Sequence, residues 1–175
     1  MRATLCGCSL GGVIALWMSA NHPERVASAI LANTGAKVGT NESWNTRIAA
    51  VRAGGMGAVR DVVVRRFLTK EFREHEPRTA ALIGEMLDST NPLGYVAACE
   101  ALRESDLRVV ATTVRVPTLV VGSDRDESTP LALAREIHAA IPASELVVIP
   151  NAAHLSNVER PDVFNKHLLR FCNAD

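Results

Sequence analysis

The five residues Gly7-Cys8-Ser9-Leu10-Gly11 constrain this chain more than any other stretch. They match G-x-S-x-G and lie between a short apolar run, Ala3 to Cys6, and an apolar helix-like stretch, Val13 to Ala20, which Asn21-His22-Pro23 stops. A serine held in a tight strand-to-helix turn needs small residues on both sides. Such a turn aims the hydroxyl above a sheet, at the amino end of the next helix. There the helix dipole and the free backbone N–H of Leu10 favour a developing oxyanion. Five residues alone are a weak signal, since a glycine-rich loop with a bystander serine reads the same way. The flanking strand and helix make Ser9 a candidate nucleophile.

Downstream, Val26 to Ala32 reads as a second buried strand, followed by a loop from Asn33 to Asn41. From about Glu42 to Arg108 the pattern becomes helical. Trp44, Ile48 and Val51 recur at helical spacing, as do Val59, Val63 and Phe67, with Gly54-Gly55 breaking one helix from the next. Leu82, Ile83, Met86 and Leu87 mark a third helix. Pro92 opens a fourth, with Leu93, Val96, Ala97 and Ala101 on one side. Strand signals return at Pro117 to Val121, ended by Gly122, and at Leu146 to Ile149, closed by Pro150. Helices follow them at Pro130 to Ile141 and at Pro161 to Phe171, the latter with Phe164, Leu168 and Phe171 on one stripe. Strand–helix alternation with apolar strands predicts an α/β fold with a parallel sheet. The strandless stretch predicts an inserted all-helical cap. The expected division is core over 1–35, cap over 36–112 and core again over 113–175.

Charge narrows the function classes. The chain has 175 residues with 19 Lys+Arg and 19 Asp+Glu, a net charge of zero, so it has no general electrostatic reason to coat nucleic acid or an anionic membrane. The longest unbroken apolar run, Val13 to Met18, is far too short for a membrane span. Cys6, Cys8, Cys99 and Cys172 form no zinc-binding set, and they read as reduced thiols in a cytoplasmic protein. Leu5-Cys6-Gly7-Cys8 looks like a lipoprotein cleavage box, but the apolar stretch follows the cysteines instead of preceding them.

A serine nucleophile needs a base, and the base needs an orienting acid. His154, in Ala153-His154-Leu155-Ser156, follows the strand Leu146 to Ile149, and small residues before it leave room for the imidazole. Asp124 and Asp126 both lie just past the strand ended by Gly122. The order Ser…Asp…His after successive strand ends is the one expected of an α/β-hydrolase triad. His22, His75, His138 and His167 read as surface residues.

Three stretches give the chain a resemblance to the α/β-hydrolase superfamily and, within it, to the 3-oxoadipate enol-lactonases. They are Cys6-Gly7-Cys8-Ser9-Leu10-Gly11-Gly12, Ser43-Trp44-Asn45-Thr46-Arg47-Ile48 with Val51-Arg52-Ala53-Gly54-Gly55, and Ala152-Ala153-His154-Leu155-Ser156-Asn157-Val158-Glu159. The resemblance implies a triad of Ser9, Asp126 and His154, with Asp126 preferred to Asp124 because Ser128-Thr129-Pro130 match the family well. It implies Leu10 N–H as an oxyanion donor, a small lactone bearing a carboxylate as substrate, and neither metal nor cofactor. Trp44 is expected to wall the substrate pocket, or else to pack cap on core. Arg47 is expected to pair with the substrate carboxylate, with Arg52, Arg65, Arg66 and Arg103 as rivals.

Two departures accompany it. The acid turn is one residue longer than the family's spacing. The elbow also stands at residue 9, where the family's follows a fifth strand. The parallel half-sheet expected here is therefore the carboxyl-terminal four strands of a longer sheet, without the loop that gives the second oxyanion N–H. An exposed edge on the first strand is expected to favour a homo-oligomer or a complementing chain.

Overall fold

A computed structural model describes residues 1–173. Four strands, β1 (Ala3–Cys8), β2 (Val26–Ala32), β3 (Thr118–Ser123) and β4 (Ser144–Ile149), form one parallel sheet in the order β1-β2-β3-β4. The register brings their carboxyl ends level. Cys8 lies beside Ala32, Ala32 beside Val121, and Ser123 beside Ile149. Whatever follows each strand therefore opens on one rim. Among the described residues β1 pairs only with β2 and forms a sheet edge.

The central strands are apolar on both faces, as a covered parallel sheet requires. Ala29, Leu31 and Val120 face one core together with Val13 and Leu16 of α1 (Leu10–Asn21) and Ile137 of α8 (Leu131–Ala140). Ile30, Ala32, Leu119 and Val121 face a second core, closed by Phe164 of α10 (Pro161–Cys172). This alternation is the period of two of an extended chain. The stripe Phe164, Leu168 and Phe171 does seal the second core.

Between β2 and β3 run α2 (Asn41–Gly54), α3 (Gly57–Phe67), α4 (Lys70–His75), α5 (Pro77–Asp88), α6 (Pro92–Glu104) and α7 (Arg108–Ala111), with no strand among them. Thr40 and Ser43 cap α2 reciprocally, each side chain bonding the other's backbone N–H. Gly55 ends it at a φ of 64°, a conformation that suits glycine. Trp44, Ile48, Val51, Val59 and Val63 are buried, as their spacing predicts.

Several expectations need correction. β1 runs through Gly7 to Cys8, and α1 begins at Leu10, so Gly11 and Gly12 are helical and the turn shrinks to Ser9. β3 continues through Gly122 to Ser123. In α5, Leu82 and Met86 are exposed; in α6, Leu93 is exposed and the inward face carries Val96 and Cys99. Helical spacing marked these helices but not which side finds a partner. The helices α4 and α7 are too short to show a period. His167 is half-buried, with its Nδ1 buried and without a hydrogen-bond partner.

Candidate active site

Ser9 occupies the single residue between β1 and α1, at φ 55° and ψ −119°. That conformation is strained for a residue with a side chain, at a cost of order 1–3 kcal/mol. Neighbouring backbone and one hydroxyl hold it. Ser9 N–H donates to the Ala32 carbonyl at 2.9 Å, and the Ser9 carbonyl accepts from Val13 N–H at 3.1 Å and from the Thr34 hydroxyl at 2.8 Å. The flanking glycines are needed for space. A Cβ on Gly7 would run into the Gly11 carbonyl, and one on Gly12 would lie 2.7 Å from Thr34 Cγ2. Leu10 N–H, in the first turn of α1, has no intrahelical acceptor and stands beside the serine.

Asp126 and His154 meet at the same rim from the turns after β3 and β4. Asp126 Oδ2 lies 2.9 Å from His154 Nδ1, with both side chains buried. Asp126 Oδ1 accepts from the backbone N–H groups of Ser128 and Thr129 at 2.8 and 2.9 Å, and Oδ2 accepts from the Thr129 hydroxyl at 2.6 Å. Burial pushes the Asp126 carboxyl up, but the hydrogen bond and charge of His154, with the bonds from Thr129, hold it below its ordinary value. Asp124, by contrast, is exposed and bonds the Ala152 backbone N–H at 3.4 Å. The geometry pairs Asp126 with the histidine.

Ser9, Leu10 and His154 line one cavity of about 290 Å³. With Nδ1 committed to Asp126, the histidine is left with Nε2 for this cavity. Trp44, Arg47, Phe67, Tyr95 and Arg66 line its other walls. Trp44 packs inward as well as lining the cavity. It is buried, its indole N–H donates to the Val38 carbonyl at 2.7 Å, and it still faces the cavity. The Arg47 guanidinium lies 5.1 Å from the centre of the Trp44 ring. Of its rivals, Arg52 is paired with Glu100 and Arg103 with Glu104, while Arg66 reaches the cavity and donates to the Glu127 carbonyl at 3.0 Å. Cys8, next to the serine, is no competing nucleophile. Burial pushes its thiol up to about 12, with the charges of Asp126 and Cys6 adding to the effect, and it stays protonated. No group of three His, Cys, Asp or Glu side chains able to hold a metal occurs among the described residues. No helix among them is long and apolar enough to cross a membrane.

Sequence reasoning missed four contributors. Phe67 places its ring 4.8 Å from that of His154. Tyr95 lines the cavity. Glu159 is buried and accepts from Thr69 N–H at 2.6 Å, from the Thr69 hydroxyl at 2.8 Å and from Ala153 N–H, tying the histidine turn to the start of α4. Asn33, directly after β2, is buried among the acid and histidine turns. Its one sequence signal is a residue that tolerates positive φ at a strand end.

A parallel sheet with a strained serine at a strand-to-helix turn, and an acid–histidine pair on later turns of the same rim, is the arrangement of α/β hydrolases. The family description for the alpha/beta hydrolase fold matches residues 2–161, and the chain belongs to that family. It is 35% identical over 164 residues to 3-oxoadipate enol-lactonase 2 of Acinetobacter baylyi, covering 94% of this chain and 61% of that protein. The crystal structure of the enol-lactonase from Burkholderia xenovorans LB400 superposes with a TM-score of 0.96 at 36% identity, covering 98% of this chain and 65% of that one. A pimeloyl-[acyl-carrier protein] methyl ester esterase of Neisseria meningitidis is 30% identical over 170 residues, covering 93% of this chain and 66% of that protein. The chain thus spans roughly three fifths to two thirds of the length of these relatives.

Proposed function

We propose that this chain carries the catalytic triad of a serine hydrolase that opens 3-oxoadipate enol-lactone to 3-oxoadipate, a step in the catabolism of aromatic compounds. The observation that carries the proposal is the buried Asp126–His154 pair, 2.9 Å apart, facing the cavity that Ser9 also lines. His154 Nε2 takes the Ser9 proton as Oγ attacks the lactone carbonyl. Leu10 N–H donates to the oxyanion, and Asp126 balances the imidazolium charge. The tetrahedral intermediate collapses and the ring C–O bond breaks. The enol oxygen that leaves takes its proton from His154. A water, deprotonated by His154, then attacks the acyl-serine, and the proton returns to Ser9 as the acid is released. Its enol tautomerises to the ketone.

Trp44 supplies a flat apolar wall for an unsaturated ring. Arg47, held over that ring and facing the cavity, supplies the positive charge for the substrate carboxylate. The likeness to two enol-lactonases, at 35% and 36% identity, favours the lactone over other esters. The likeness to a methyl ester esterase supports a second reading, hydrolysis of an open-chain ester by the same triad.

The test compares hydrolysis of the enol-lactone, followed by loss of its ultraviolet absorbance, with hydrolysis of p-nitrophenyl acetate, in the native chain and in Ser9→Ala. The lactone is expected to turn over faster than the ester. Ser9→Ala is expected to lower both rates by roughly 10⁴- to 10⁶-fold. A faster ester rate selects the second reading. Hydrolysis retained in Ser9→Ala refutes both.

A further inference from the structure

We propose that Asn33 is a positioning residue whose side-chain amide bridges the turns after β2, β3 and β4 and so holds Asp126 in register with His154. The proposal rests on the triad reading above.

Asn33 is almost wholly inaccessible to solvent and stands at φ 44°. Its backbone N–H continues the strand pairing, donating to the Val121 carbonyl at 2.8 Å. Its side chain then turns into the rim. Nδ2 donates to Ser123 Oγ at 2.5 Å, to Asp126 Oδ2 at 3.0 Å and to the Ala153 carbonyl at 3.3 Å. Oδ1 accepts from the Ser156 hydroxyl at 2.6 Å. The partners fix which way the amide points. A carboxylate and a carbonyl need donors on one side, and the Ser156 hydroxyl finds an acceptor on the other.

Two of the three turns so joined carry the acid and the histidine, and the third carries Asn33 itself. Asp126 Oδ2 receives both the Asn33 N–H and the His154 Nδ1 bond, so the amide touches the atom that orients the imidazole. Ala153 immediately precedes His154 and Ser156 follows it by two residues. Thus Asn33 holds the histidine turn from both sides. Few side chains fit these demands. The position calls for tolerance of positive φ, two N–H donors and one acceptor. Asparagine meets all three, glycine only the first, and an ionised aspartate cannot donate. A bond to an ionised acceptor in a buried site is among the stronger kinds, so its loss should show in the rate.

Two variants separate a positioning role from a merely conformational one. Asn33→Gly keeps the positive φ and removes the amide. Asn33→Asp keeps the shape and sets a second carboxylate against Asp126. The readouts are kcat and KM for the enol-lactone, and titration of the Asp126 carboxyl by carbon-13 NMR. The titratable groups facing Asp126 are His154 and Cys8. The native carboxyl titrates low, and losing a donor to its charged form moves that titration up.

Asn33→Gly is expected to lose about tenfold to hundredfold in kcat with KM within about twofold, and to shift the Asp126 titration to higher pH. Asn33→Asp is expected to shift it further. Native kcat together with an unmoved titration in Asn33→Gly would overturn the proposal and leave Asn33 only its turn. If Asn33→Gly does not fold, Asn33→Asp decides by the same two readouts. If the native chain hydrolyses neither lactone nor ester, the hydrolase reading fails, and the carboxyl titration still decides the role of Asn33.

Discussion

The turn after β1 and the turns after β3 and β4 meet at one rim, but they are held by opposite means. Backbone, with one bond from the Thr34 hydroxyl, holds the Ser9 turn. It has a positive φ, an amide bonded across to Ala32, and two glycines whose missing side chains let α1 start where it does. Side chains hold the turns of Asp126 and His154. Thr129, Asn33, Ser156 and Glu159 all bond into them, and the Asn33 bonds to Asp126 and Ser156 span 93 and 123 residues of sequence. The Ser9 turn is thus shaped mainly by backbone sterics and backbone bonds. The acid–base pair depends on groups that only the finished fold assembles.

The two modes of support predict different failures. The largest belongs to the networked side. Asp126→Asn keeps acceptors for Ser128 and Thr129 but removes the charge that sets the His154 tautomer. It is expected to lower kcat by about 10⁴-fold while the circular dichroism spectrum stays native. A rate within tenfold of native would mean that another group orients the imidazole.

Next comes the backbone side. Gly7→Ala drives a methyl group into the Gly11 carbonyl, and the cost is expected near 3 kcal/mol in urea unfolding, with activity lost in whatever folds. A native unfolding midpoint would show that the turn can relax, and that sterics do not define it.

A smaller effect has the opposite sign. Ser9→Gly removes the proposed nucleophile and also relieves a backbone angle that suits glycine. It should be inactive yet more stable than Ser9→Ala by about 1–2 kcal/mol. Equal stability of the two variants would remove strain from the comparison.

The smallest effect is in acid. Asp126 titrates below its ordinary value, so its contribution to stability is complete above that value, near pH 4, and is lost as pH falls through the depressed one. The urea midpoint of the native chain should therefore fall more steeply below about pH 4 than that of Asp126→Asn. Parallel curves would show that Asp126 is not held in its charged form.

What could be read in advance follows the same division. The serine elbow was legible because the small residues it needs lie together, from Gly7 to Gly12. The parallel sheet was legible because β2 and β3 are apolar on both faces. The choice between Asp124 and Asp126 was not settled by the residues alone. It turns on which carboxylate meets His154, 28 residues away, and on Asn33, 93 residues away. Among the intervening helices, α2 and α3 showed their buried stripes because they face the main core. The inward side of α5 was obscure because that helix packs on α3 and α4 instead, leaving Leu82 and Met86 outward. The bonds of Asn33 and Glu159 could not be read in advance because buried hydrogen bonds have no periodicity.

The most direct test of the central claim is labelling by a fluorophosphonate, with the site found by peptide mass spectrometry. An activated serine beside a histidine base should form a covalent adduct at Ser9 in the folded chain. The adduct should fall to background in His154→Ala, with Cys8 unmodified in both. A folded chain that takes no label, takes it at another residue, or labels Ser9 equally well without His154 would contradict the account.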